Sequence, residues 1–108
     1  MAYRIEFYNP KVAADVRGWP AGIAASFAVI AMRMVEHGPH LGMPHTRALG
    51  GGLYEVRARG AEGIGRALFC TVVGQRIVVL HGFIKKSQAA PAAELRIARK
   101  RMKEVQDG

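Results

Sequence analysis

The stretch that most limits what this chain can fold into is Leu53–Ser87, LYEVRARGAEGIGRALFCTVVGQRIVVLHGFIKKS. Three runs within it, Leu53–Arg59, Arg66–Val73 and Arg76–Ile84, have strand length and are rich in β-branched and aromatic residues. Glycine-containing joints separate them. Gly74-Gln75, with Gly at the first position, suits a two-residue type II′ hairpin, and Gly60–Gly65 reads as a longer, looser turn. In the first run Tyr54, Val56 and Ala58 share one face, and Glu55, Arg57 and Arg59 share the other, so the alternation marks a core side and a wet side. The second and third runs are apolar on both faces over much of their length, as expected of central strands covered on both sides. The meander carries Arg57, Arg59, Arg66, Arg76, Lys85 and Lys86 against Glu55 and Glu62. A sheet with that charge is suited to a polyanion.

The flanking segments read as the frame of this meander. Tyr3–Tyr8 alternates apolar and polar residues, which predicts a strand. Asn9 can cap a helix whose first position is Pro10, giving a short helix over Lys11–Arg17. After the break at Gly18-Trp19-Pro20, Ile23, Phe27, Ile30 and Met34 recur at helical spacing. They predict a longer helix from about Pro20 to His37, ended by Gly38-Pro39. The two helices should form a helical hairpin. His40–Gly52, punctuated by Gly42, Pro44 and Gly50–Gly52, reads as a loop that holds Arg47. A last helix over about Pro91–Val105 buries Leu95, Ala98, Met102 and Val105 and carries Arg96, Arg99, Lys100, Arg101 and Lys103, four of them in its C-terminal half, which suits the helix dipole. The expected fold is α+β, ordered β-α-α-β-β-β-α. A small, mainly antiparallel four-stranded sheet has the helical hairpin on one face, and the C-terminal helix packs at an edge or end.

Composition narrows the partners. With 108 residues the chain is expected to be one domain, 1–108, and the 50% hydrophobic content excludes a disordered chain. Sixteen Lys+Arg against eight Asp+Glu give a formal charge of +8, which favours nucleic acid, an acidic protein or an anionic surface. Cys70 is the single cysteine and lies in an apolar run, so it reads as a buried, inert thiol. No secretory h-region follows the N-terminus, and the longest apolar run, Ala21–Met32, is too short to span a bilayer. A cytoplasmic protein with no membrane partner is the expectation.

Read as one ordered set, GLYEVRARG, the Arg-led strand from Arg66, HGFIKKSQ, Pro91 and the basic helix with its A-x-x-R pattern resemble the RelE/ParE toxin superfamily. The resemblance covers nearly the whole chain, and the phage-derived HigB-like branch is the nearest match. It implies a RelE-like fold and a type II toxin–antitoxin system toxin. That toxin would be a ribosome-dependent, metal-independent mRNA endonuclease, neutralised by a cognate antitoxin of helix-turn-helix type encoded beside it. The alternatives are a ParE-like gyrase inhibitor and an inactive phage-derived module that only binds its antitoxin. A DNA-binding regulator is disfavoured, because the chain has no helix-turn-helix pattern.

The candidate catalytic residues are Arg57, Arg66, Lys85 and His81. Arg57 and Arg66 match the family's strand arginines, and a guanidinium forks onto phosphate without losing its charge. Lys85 closes the last strand on the face of His81 and Phe83 and can clamp phosphate or supply a proton. His81 is the histidine in a strand and is a candidate acid or base, beside the competing reading of a satisfied core histidine. The candidate RNA-binding residues are Arg59, Arg47, Lys86, Arg76 and Tyr54, with Tyr54 and Phe83 able to stack on bases. His37, His40 and His45 lie within nine positions, separated by Gly and Pro, and read as a solvated loop rather than metal ligands. No metal or other cofactor is expected. Some RelE-type enzymes use a tyrosine near the C-terminus. This chain has none after Tyr54, so acid/base work falls to His81, Lys85 or a similar group.

Overall fold

A computed structural model describes residues 2–85 and 91–107. The elements run β1 (Arg4–Phe7), α1 (Pro10–Arg17), α2 (Ala21–His37), β2 (Thr46–Gly50), β3 (Leu53–Gly60), β4 (Gly63–Val72), β5 (Arg76–Lys85) and α3 (Ala92–Asp107). The strands form one sheet in the order β1-β5-β4-β3-β2. β1 runs parallel to β5, and the other three pairings are antiparallel. The α+β class and the mainly antiparallel sheet agree with the sequence reading.

The helix starts are set by local chemistry. Asn9 is extended, and its side-chain oxygen accepts the Val12 N–H at 2.9 Å, with Pro10 opening α1. The chain then bends by 119° into α2. Pro20 brings no side-chain cap to α2. The Glu62 carboxylate, far off in sequence, accepts the Gly22 N–H at 3.0 Å instead. That bond pulls the Glu62 carboxyl below its ordinary range and pins the β3–β4 turn to the start of α2.

One face of the sheet is packed by α1 and α2. Val12, Val16, Trp19, Ile23, Phe27, Ile30 and Met34 cover Val56, Ala58, Ala67, Phe69, Ile77 and Val79. Two glycines make room for the indole. A Cβ on Gly65 would stand 2.7 Å from both Trp19 and Ile23, and one on Gly82 would stand 2.7 Å from Val16. The opposite face carries a second apolar cluster, in which Ala98 and Met102 of α3 cover Leu53, Leu68, Cys70, Val78 and Leu80. The Cys70 thiol is fully buried there, and desolvation pushes it up to about 11.

Four expectations are corrected. The sheet has five strands rather than four, because Thr46–Gly50 inside the expected loop pairs antiparallel with β3. Its signal is weak since it has five residues, and a register shift between Ala48 and Gly50 spoils the alternation. α3 covers a face rather than an edge, because the two-sided apolar character of β4 and β5 requires a second layer. The Gly60–Gly65 turn is tight: Gly60 pairs with Gly63, leaving Ala61 and Glu62 as the connection. The β4–β5 connection is Val73-Gly74-Gln75, with φ of 90° at Gly74 and 58° at Gln75, which is not a type II′ pair.

A register shift in β5 decides which side chains share the α3 face. Leu68 pairs with His81 and Phe69 with Val79, so Leu80 is an extra residue. Alternation reverses there: Val78 and Leu80 lie under α3, and His81, Phe83 and Lys85 then continue on that same face. Arg101 of α3 holds the bulge, its Nη1 donating to the Leu80 carbonyl at 2.8 Å.

A candidate nucleic-acid interface

α3 covers the part of its face around Leu53, Leu68, Cys70, Val78 and Leu80. Beyond it, register alone assembles a set of rows. His81, Leu68, Glu55 and Arg47 lie side by side across β5, β4, β3 and β2. The next row is Phe83, Arg66 and Arg57, and the last is Lys85, Ile64 and Arg59. Residues directly opposite in an antiparallel pair point to the same side, so these side chains share one surface.

Glu55 is its anchor. The carboxylate is completely buried. Its Oε2 accepts the Arg66 Nε–H at 2.6 Å and a second bond from Arg66 Nη2. Arg47 Nη2 stands 2.9 Å from Oε1 and Arg57 Nε stands 3.8 Å from it. The first is an ion pair off hydrogen-bonding angle and the second is too long for a hydrogen bond, so Oε1 accepts none among the described residues. Three guanidinium charges against one carboxylate leave this cluster at +2. A buried carboxylate is tolerated only with such company.

The arginines differ in what they leave free. The Arg66 side chain is 7% exposed, Arg57 21% and Arg47 46%. Arg66 is spent on Glu55 and lies over the Phe83 ring, its guanidinium carbon 5.6 Å from the centroid. It acts as a brace, while Arg57 reaches the surface. Arg59 is exposed, and Phe83, Lys85 and Ile64 are half-buried. The open part is therefore a small apolar floor of Ile64 and Phe83 with cations around it.

The structure gathers Arg47, Arg57, Arg59, Arg66 and Lys85 onto this surface. His81 sits at its border, its Nε2 3.0 Å from Glu94 Oε1 of α3, so it is a partnered histidine. Arg76 lies at the other end of β5, where it forks onto Glu6 at 2.9 and 2.7 Å. Nine residues of strand, roughly 30 Å at about 3.3 Å per residue, separate it from Lys85. Tyr54 lies on the opposite face, its ring 4.6 Å from that of His40 and 5.7 Å from that of Phe69. Lys86 falls outside the described residues. Sequence reasoning misses Glu55 and Glu94 as site residues. The signal for Glu55 is its place between Arg57 and the core residue Tyr54, while Glu94 cannot be found without knowing where α3 docks. No cluster of three potential metal-ligating side chains forms among the described residues.

The edge of β3 adds a concavity. The Arg57 N–H donates to the His45 carbonyl at 2.8 Å, and beyond that bond the chain of β2 leaves the strand. A cavity of 240 Å³ opens there, lined by Ser26, Pro44, His45, Arg57, Arg59 and Ile64.

The architecture defines a class before any family. A solved structure of E. coli toxin RelE, an arginine-to-alanine double mutant in the free state, matches 94% of this chain and 99% of its own, with a TM-score of 0.62 at 16% identity. The fold is RelE-like. Residues 14–103 match the family described as "Phage derived protein Gp49-like (DUF891)", and the chain belongs to that family, a RelE/HigB type of toxin family. No curated protein matches it in sequence. No helix among the described residues is by itself long and apolar enough to cross a membrane.

Proposed function

We propose that this chain is the toxin of a type II toxin–antitoxin pair and that it stops translation by cutting mRNA on the ribosome. The observation that carries the reading is the open part of the α3-bearing face, where Arg57, Arg59 and Lys85 ring Ile64 and Phe83 above the Arg66–Glu55 brace. Single-stranded RNA is held by cations along its backbone and by rings under its bases. Both are present within three adjacent strands. Its partners are then the ribosome, mRNA and a cognate antitoxin of helix-turn-helix type, met in the cytoplasm.

The chemistry asked of these residues is modest. In RNA the 2′-hydroxyl can attack the adjacent phosphorus in line, so the P–O2′ bond forms as the P–O5′ bond breaks. Arg57 binds the phosphoryl oxygens as charge builds on them, and one such donor is worth roughly 10²–10³ in rate. Arg66 touches no RNA; it fixes Glu55, and Glu55 fixes Arg57. Lys85 donates the proton to the departing 5′-oxygen. Arg47 and Arg59 track the flanking backbone.

Primer extension on mRNA from a purified translation system tests the reading. Cleavage by the wild-type protein, requiring ribosomes and lost in Arg57→Ala, supports it. Absence of cleavage and of translational arrest refutes it. Inhibition of gyrase supercoiling by the same protein would select the ParE-like reading instead, and inactivity with intact antitoxin binding would select the binding module.

A further inference from the structure

We propose that the 240 Å³ cavity at the edge of β3 receives the reacting phosphodiester and that His45 takes the proton from its 2′-hydroxyl. This rests on the ribonuclease reading and supplies the base that reaction needs.

Three of the four histidines have other engagements. His37 stands 3.6 Å from Glu36 on an exposed stretch of α2, His40 packs on Tyr54, and His81 is bound to Glu94. Among the described residues, His45 is the histidine whose ring has no ion-pair, hydrogen-bond or stacking partner. It is half-buried and forms part of the cavity wall with Arg57 and Arg59.

Its backbone is held from both sides. The His45 N–H donates to the Gly42 carbonyl at 3.0 Å, and the His45 carbonyl accepts from Arg57. The neighbouring Thr46 is buried, its N–H donating to the Gly42 carbonyl while its Oγ1 accepts the Gly42 N–H at 2.8 Å. A loop closed by reciprocal bonds and tied to the strand of Arg57 keeps a base and a phosphate-binding group in fixed relation, which is what proton transfer in a transition state requires.

The cavity's size selects its occupant. At 240 Å³ it falls below the roughly 300–1,000 Å³ of sites for drug-sized ligands. It admits one phosphate with its sugar atoms, or one base. Arg57 and Arg59 are among its lining residues, and arginine's forked preference for phosphate selects the phosphate. Ser26 of α2, Pro44 of the loop and Ile64 of β4 complete the wall and bring no charge. Of the residues that line it, His45 is therefore the one whose side chain can take up a proton as a general base. In the step itself the 2′-oxygen bonds to phosphorus, its proton passes to the His45 ring, and the P–O5′ bond breaks. The 5′-oxygen leaves with the proton from Lys85, giving a 2′,3′-cyclic phosphate and a 5′-hydroxyl end.

Single-turnover cleavage of ribosome-bound mRNA by His45→Ala, followed across pH 5–9, tests this. The rate should fall by about 10²–10⁴, the usual worth of a positioned base. The acidic limb of the pH profile should disappear, added imidazole should restore part of the rate, and ribosome binding and thermal unfolding should match the wild type. His37→Ala should cleave normally. Wild-type rates in His45→Ala, or a loss that imidazole does not rescue and that leaves the pH profile unchanged, would overturn the role of His45 while leaving the ribonuclease reading in place. No cleavage by the wild type, with His45 intact, would overturn both.

Discussion

The two faces of the sheet solve different problems with the same strands. The α1–α2 face is apolar and, around Trp19, fitted to within a methyl group, to the point that glycines at 65 and 82 are needed to seat the indole. The α3 face is covered where α3 packs and carries cations around Ile64 and Phe83 beyond it, and its one fully buried polar anchor is Glu55. The first face stabilises; the second places cations at a surface where they can meet a ligand. Arg57 and Arg66 lie directly opposite each other in the β3–β4 ladder, yet one is a brace and the other a contact group. The difference comes from a single carboxylate one row away.

The sharpest way to break that division is to remove the anchor. Glu55→Ala strands three arginines, one of them buried, and should cost roughly 3–5 kcal/mol, as loss of one partner from a buried pair does; urea unfolding measures it. Near-wild-type stability would mean the carboxylate is dispensable to the fold. Arg57→Ala should act in the opposite register. RNA cleavage should fall by about 10²–10³, while the unfolding midpoint moves little, because Arg57 contributes only a longer-range ion pair to Glu55. Gly65→Ala comes next: a Cβ pressed on Trp19 should cost about 1–3 kcal/mol of overpacking, with cleavage per folded molecule unchanged. If it abolishes cleavage in a folded protein, the faces are not separable.

The smallest effect is at the far end of β5. Hydrogen bonding to Arg76 holds the Glu6 carboxyl below its ordinary range. A carboxyl lowered in the folded state adds stability that is present above the unfolded glutamate value and is lost as pH falls through the lowered folded value. The stability gap between wild type and Arg76→Gln should therefore be small at neutral pH and close under acid, and translation arrest should be equal. A large loss of arrest in Arg76→Gln would bring the distant end of the sheet back into the RNA surface.

Much of this fold is legible in the residues. Asn9-Pro10, the 3.6-residue stripe of α2 and the alternation of Tyr54, Val56 and Ala58 each act locally, so pattern and outcome agree. The separation of Arg57 from the core side of β3 follows from the same alternation. What is not legible depends on partners distant in sequence. β2 is a strand because β3 offers it an edge. α3 lies on a face because Leu53, Leu68 and Leu80 need cover. The extra residue Leu80 turns His81, Phe83 and Lys85 onto the α3 face, and no local signal marks it. Arg76 and Arg57 look alike in sequence; only Glu6 beside one and a buried Glu55 beside the other tell them apart.

The most direct test of the central claim is ribosome-dependent mRNA cleavage by wild type, Arg57→Ala and Arg66→Ala, with the folded fraction of each measured in the same samples. If the surface works through a half-buried contact arginine on a buried brace, Arg57→Ala stays folded and is inactive, and Arg66→Ala loses stability and activity together. Equal cleavage by wild type and folded Arg57→Ala would contradict it.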